Sequence, residues 1–127
     1  MFRLRILAVI LGLGFLPACD NRPVVDNGGD LCEEELVTLR VEVLTADGAR
    51  VKGATVTAIH LETNQSITGV TNEEGISRAV NESLGAGTVR LHATAGAKVS
   101  PPLEVEWQCD GCHCSPIPGA VTLQLNP

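Results

Sequence analysis

A chain of 127 residues has room for one domain and no more. Its 15 acidic residues outnumber 9 basic ones, for a net charge of −6, and an acidic surface repels phosphate backbones, which argues against nucleic acid as a partner. Tyrosine is absent, Phe2 and Phe15 sit near the N-terminus, and Trp107 is the one aromatic beyond them, so the core of any domain here must be built from Val, Leu, Ile and Ala.

The first eighteen residues read as a targeting segment. Met1–Arg5 is short and basic, and Ile6–Leu16 is an apolar run of eleven residues, whereas crossing a bilayer core as a helix takes about 20. Leu16-Pro17-Ala18-Cys19 follows. This junction resembles the bacterial lipobox, in which an aliphatic residue, a spacer and a small residue precede the cysteine that is acylated and becomes the new N-terminus. Ordinary secretion with cleavage after Ala18 fits less well, because Leu16 stands where A-x-A requires a small residue. A buried N-terminal helix leaves the stop at a cysteine and a polar stretch unexplained. The expectation is a signal peptide over 1–18 and lipidation at Cys19. Each buried acyl CH₂ contributes about 0.8 kcal/mol, so two or more chains hold a protein stably on a membrane. Loss of Arg3 and Arg5 with the signal leaves 7 basic against 15 acidic residues, a net charge of −8. Asp20, next to the cysteine, resembles the enterobacterial signal for retention in the inner membrane, a rule that varies between lineages.

Residues 19–35 read as a lipid-anchored flexible tether. Asp20–Glu35 has no apolar periodicity, and Pro23 and Gly28-Gly29 break regular structure. Its acidic residues lack the D-x-D-x-D-G spacing of a calcium loop and read as solvated.

From residue 36 onward the pattern has period two. Val37, Leu39, Val41 and Val43 alternate with Thr38, Arg40 and Glu42, and Asp47-Gly48 marks a turn. Ala54, Val56 and Ala58 give a second strand, Ser66–Thr71 a third, and Ile76–Val80 a fourth after the turn at 72–75. Val89, Leu91 and Ala93, then Leu103, Val105 and Trp107, then Val121, Leu123 and Leu125 complete the series. The reading is an all-β, seven-stranded antiparallel β-sandwich over 36–127, with the apolar face of each strand turned inward. His60 and His92, on predicted strands, read as surface histidines, and Trp107 as core packing beside a disulfide.

Four segments in order carry a family resemblance. Asp47–Val56 (DGARVKGATV) resembles the dGxPvxGAxV opening of the carboxypeptidase regulatory-like, transthyretin-like (prealbumin-like) domains. Thr71–Ile76 (TNEEGI) resembles their TdxxGxf turn, Gly85–Leu91 (GAGTVRL) their pGtYxl strand, and Ala120–Leu125 their closing vxLxL. Asn72 replaces the usual Asp, and Ile76 and Val89 stand where aromatics are common. The resemblance spans about residues 37–126 and implies a transthyretin-like sandwich serving as an accessory, adhesion or binding module. Its motifs are turn glycines and packing residues, not chemical groups.

Cys109-Asp110-Gly111-Cys112-His113-Cys114 is the most distinctive local feature. With Cys19 lipidated, Cys32, Cys109, Cys112 and Cys114 remain, and an even number in an exported domain points to two disulfides. Of the three pairings, one with a Cys112–Cys114 bridge suits loop geometry least. Cys32 is therefore expected to bond one member of the cluster, with a second bridge inside it. Closing so long a loop contributes on the order of 4 kcal/mol in the chain-entropy picture. Two rivals use the same residues. Cys109, Cys112, His113 and Cys114 are candidate zinc or copper ligands, which requires reduced thiols. Cys109-x-x-Cys112 is a candidate redox pair, though such pairs usually open a helix.

No G-x-S-x-G, H-E-x-x-H or P-loop motif occurs. The hydroxyisourate hydrolases close on Tyr-Arg-Gly-Ser, where this chain has Gln124-Leu125-Asn126-Pro127; the intradiol dioxygenases need tyrosine ligands to iron, and Tyr is absent. The expectation is a non-catalytic cell-envelope lipoprotein without a cofactor, held to a membrane by its lipid and presenting its domain to proteins or envelope components. A metal-binding or thiol-redox lipoprotein is the alternative.

Overall fold

The computed structural model describes Cys32 and residues 34–127. The expected signal at 1–18, the acylation site Cys19 and all of the expected tether apart from Cys32, Glu34 and Glu35 lie outside the described residues. Glu34–Pro127 form one unit. Its strands are β1 (Arg40–Leu44), β2 (Thr55–His60), β3 (Ser66–Val70), β4 (Ile76–Ser77), β5 (Gly87–Ala95), β6 (Lys98–Val99), β7 (Leu103–Cys109), β8 (Cys114–Ile117) and β9 (Ala120–Gln124), with a 3₁₀ turn at Glu82–Leu84. They form two sheets. One has the order β4-β1-β9; the other has the order β3-β2-β5-β7-β8, with β6 added beside β5.

The inward faces follow from alternation. Val41 and Val43 of β1, Val121 and Leu123 of β9, Val56 and Ala58 of β2, Val89, Leu91 and Ala93 of β5, and Val105 and Trp107 of β7 are all buried in one cluster drawn from both sheets. The intervening Arg90, Glu104, Glu106 and Thr122 are exposed. Two salt-bridged or hydrogen-bonded cross-strand pairs, Arg90–Glu104 at 2.9 Å and Thr88–Glu106 at 2.8 Å, decorate the solvent face of β5 and β7. Such exposed pairs add little stability, so the aliphatic cluster and its covalent staples hold the domain.

Nine strands replace the seven expected, and one pair is parallel. β6 and β8 carry no apolar alternation of their own. β6 is two residues long, and β8 (CSPI) contains Pro116; both are placed by pairing with β5 and β7. β1 and β9 run parallel, Arg40 beside Ala120 through Leu44 beside Gln124. Alternation fixes which side chains are buried, not the direction of a neighbour, and no hairpin joins the first strand to the last to impose one. The expected fourth strand is also shorter: after Ser77 it leaves the ladder, and Thr38 meets Asn81 in an isolated bridge.

At one side the sheets close tightly. A Cβ placed on Gly69 of β3 would lie 2.3 Å from the Ala79 Cβ, so only glycine permits this approach. His60 corrects another expectation. It is buried at 1 % exposure, not on the surface, because the inward parity of Val56 and Ala58 extends to it. Its imidazole is satisfied: Nε2 lies 2.7 Å from the Ala86 carbonyl, and Nδ1 accepts from the amides of Glu62 and Thr63 at 3.2 and 3.3 Å. These partners assign the proton to Nε2. Gly87, at φ +128°, makes room for the ring, since a Cβ there would sit 2.7 Å from Nε2. The expected result for Gly87→Ala is a loss of about 2–3 kcal/mol, from backbone strain and overpacking together, read as a lowered urea midpoint. His92→Ala, at a half-buried site on the opposite face, is expected to change the midpoint far less.

Candidate functional site

The cysteine cluster is the tip of the β7–β8 hairpin. Asp110 makes the turn: its amide donates to the His113 carbonyl at 2.8 Å, and its Oδ1 accepts from the amides of Cys112 and His113, both at 2.8 Å. This is the side-chain turn mimicry for which Asp is suited. Cys109 and Cys114 face each other one rung beyond that closed pair and are joined as a disulfide. They occupy a non-hydrogen-bonded position, where facing side chains approach most closely. Cys32 and Cys112 are disulfide-bonded as well. Cys114 packs against the core that contains Trp107.

The residue that organises this tip is Glu82, which no sequence motif marks. Asn81 caps the short 3₁₀ turn by accepting from the Ser83 amide at 2.8 Å, and the turn carries Glu82 under the hairpin. Glu82 Oε2 accepts from the Val37 amide at 2.6 Å and lies 2.7 Å from His113 Nδ1. Its Oε1 accepts from the Cys114 amide at 2.9 Å. The carboxylate is only 10 % exposed and His113 21 %. Hydrogen bonds from the Val37 and Cys114 amides, then from His113 with its charge, hold the Glu82 pKa below the ordinary glutamate value despite burial. Asp110 is likewise lowered, by the His113 and Cys112 amides.

The same contacts close the outer rim of β8. Residues 113, 115 and 117 turn their main-chain groups toward β7, leaving Cys114 and Pro116 to face outward. The Cys114 N–H is taken by Glu82, and Pro116 has none to offer.

The structure brings Cys109, Cys112, His113 and Cys114 together, as the spacing requires, but in a form suited to fastening. All three sulfurs are in disulfides, so no thiolate is present to bind metal. Among the described residues, no group of three or more His, Cys, Asp or Glu side chains is placed to hold a metal ion. His113 and Glu82 form an imidazole–carboxylate pair of the kind used in acid–base chemistry. Here both carboxylate oxygens are already engaged by main-chain amides. No family model matches the chain, and no curated protein matches it.

Two outcomes follow for this clasp. Because Glu82 and Asp110 have lowered folded-state pKa values, the unfolded chain binds protons first on acidification. Stability is complete above the ordinary carboxylate range and falls as pH drops through the folded values. Urea unfolding at pH 7, 5 and 3 is expected to show this decline, and Glu82→Gln to be less stable at pH 7 with a flatter acid profile. Cys109→Ala with Cys114→Ala is expected to cost about 2 kcal/mol, the entropy of closing so short a loop, by the same measurement.

Proposed function

We propose that this chain is an exported bacterial lipoprotein, anchored through Cys19, whose domain is a transthyretin-like β-sandwich of the carboxypeptidase regulatory-like kind. The domain acts without catalysis, as a module held at the cell envelope for interaction with proteins or other envelope components. One observation carries the reading. Leu16-Pro17-Ala18-Cys19 stands in a chain whose Cys32, Cys109, Cys112 and Cys114 are all disulfide-bonded. Disulfides persist outside the reducing cytosol, so the address and the chemistry of the sulfurs agree. Among the described residues no helix is long and apolar enough to cross a membrane. The two-sheet core shared by β1, β9, β2, β5 and β7 is compatible with the family resemblance. The absence of chemistry rests on how the reactive groups are used: His60 is spent on main-chain partners, and Glu82 and Asp110 on turn and rim amides.

The test is expression of the full chain in a bacterial host, with membrane fractionation and intact mass before and after reduction. The expected product begins at an acylated Cys19, sediments with membranes and gains four hydrogens on reduction of its two bridges. Cys19→Ser is expected to abolish acylation and membrane attachment. A cytosolic product retaining Met1, with all thiols alkylatable, overturns the reading; a metal-loaded product with reducible thiols supports the metal-handling alternative.

A further inference from the structure

The two sheets close at Gly69 and Ala79 but part on the opposite side, where an open groove of about 480 Å³ runs between β9 and the start of β7. Its walls include Pro101, Pro102 and Leu103 on one side and Thr122–Leu125 on the other, and no side chain lining it is charged. Consecutive residues of β9 and the one that follows it, inward-facing Leu123 and Leu125 and outward-facing Thr122 and Gln124, all border it. A groove touched by both parities lies along the rim of a strand, not on one face of the sheet.

That rim is open. The amide of Arg40 donates to the Gly119 carbonyl, and the amide of Leu125 donates to the Leu44 carbonyl. In a parallel pair, N–H and C=O of one residue point to the same side and alternate residue by residue. The odd-numbered residues of β9 therefore serve β1, and Thr122 and Gln124 direct their main-chain N–H and C=O away from it. Those four groups have no hydrogen-bond partner among the described residues. The next residue of this parity, Asn126, shows what the rim accepts: at the end of the groove, which it helps to line, its amide donates to the Val99 carbonyl at 2.8 Å. Other edges are less suited. β8 turns no N–H outward, since the Cys114 amide is taken by Glu82 and Pro116 has none, and β4 is two residues long; β3 has an unpaired outer rim but does not line this groove.

We infer that the rim of β9 with its groove is a docking site for an extended segment of a partner protein, added as a further strand, with apolar side chains at alternate positions and a basic residue between them. The backbone of the segment meets Thr122 and Gln124, and its inward side chains fill the groove. The groove volume falls in the range of about 300–1,000 Å³ typical of ligand sites. Charge selects the outward residue. Glu42 is the register neighbour of Thr122, with its Oε1 3.5 Å from Thr122 Oγ1, and no cation pairs with it among the described residues. An outward Lys opposite Thr122 stands two strand spacings away, about 10 Å between backbones, within reach of two long side chains. Arg40 beside Ala120 disfavours a second cation one row along. The net charge of −6 favours approach of a basic segment. This inference rests on the reading of the domain as a protein-interaction module, and not on the lipid anchor.

The experiment uses the full-length protein in detergent micelles and the capped peptide acetyl-Thr-Val-Lys-Val-Thr-Val-amide. Binding is followed by fluorescence anisotropy of a labelled copy, and the site by amide hydrogen exchange. Slowed exchange at Thr122 and Gln124 is expected, with an affinity at least about tenfold higher than for the peptide N-methylated on its β9-facing amides. Replacing its Lys by Glu is expected to weaken binding, and Glu42→Lys to reverse that preference. Thr122→Pro removes one outward N–H and is expected to lower affinity about tenfold; Glu42→Lys, a surface change, keeps the test decisive if the proline variant does not fold. Absence of binding, protection at Ser66, Thr68 and Val70 of β3 instead, indifference to N-methylation, or protection at Thr122 from self-association alone each overturns the inference. If the peptide fails while acylation and membrane attachment hold, the docking site falls and the lipoprotein reading stands.

Discussion

One carboxylate ties the parts of this domain together. Glu82 receives the Val37 amide from the segment that leads into β1, the Cys114 amide from the rim of β8, and the His113 ring from the hairpin tip. Val37 belongs to the approach to the smaller sheet and Cys114 to the larger, so a single side chain spans both. Three donors around one partly buried carboxylate offset its desolvation, and the result is a polar joint where the aliphatic core ends. The disulfide between Cys109 and Cys114 holds the hairpin in the geometry that presents the Cys114 amide and the His113 ring to Glu82. Covalent and polar fastenings at this end are thus mutually dependent.

The need for such fastening follows from composition. With Trp107 as its one aromatic, the core is filled by Val, Leu and Ala, side chains that each bury less area than an aromatic ring. A small domain of this kind gains from restriction of its unfolded state by cross-links. Four bonded cysteines in so short a chain fit the oxidising compartment of the function proposed above. The same fastening joins the sulfurs of the cluster in disulfides, as the even cysteine count of the sequence led one to expect.

Much of the fold was legible from period two. The inward residues of β1, β2, β5, β7 and β9 coincide with the apolar positions of the alternating runs, because a half-buried strand must segregate its faces. The misreadings share a cause: each depends on a distant partner. β8 has no pattern of its own and exists because β7 offers it a ladder. The parallel pairing of β1 with β9 joins strands separated by most of the domain. Glu82 meets His113 across 31 positions, with no spacing rule to announce it. His60 was legible in principle, since its parity matches Val56 and Ala58, but its polarity suggested the surface; the neighbouring amides and Gly87 are what allow it inside. The cysteine hairpin was visible as a motif and a bridge inside it was expected, whereas the choice of Cys109 with Cys114 comes from their facing places on β7 and β8.

The closed rim of β8 bears on how copies of this chain behave when crowded together. Open-ended growth of a sheet from molecule to molecule needs two receptive borders on each unit, one to give and one to take. Pro116 and the occupied Cys114 amide withhold main-chain donors on the β8 side, so stacking of β9 of one molecule onto β8 of the next finds no ladder to extend. Pairing through β9 alone is self-limiting: it ends at two. Pro116, in an unassuming four-residue strand, thereby closes one of the two borders of the larger sheet to such growth and leaves the rim of β3 as the other, which matters most for proteins concentrated on a surface.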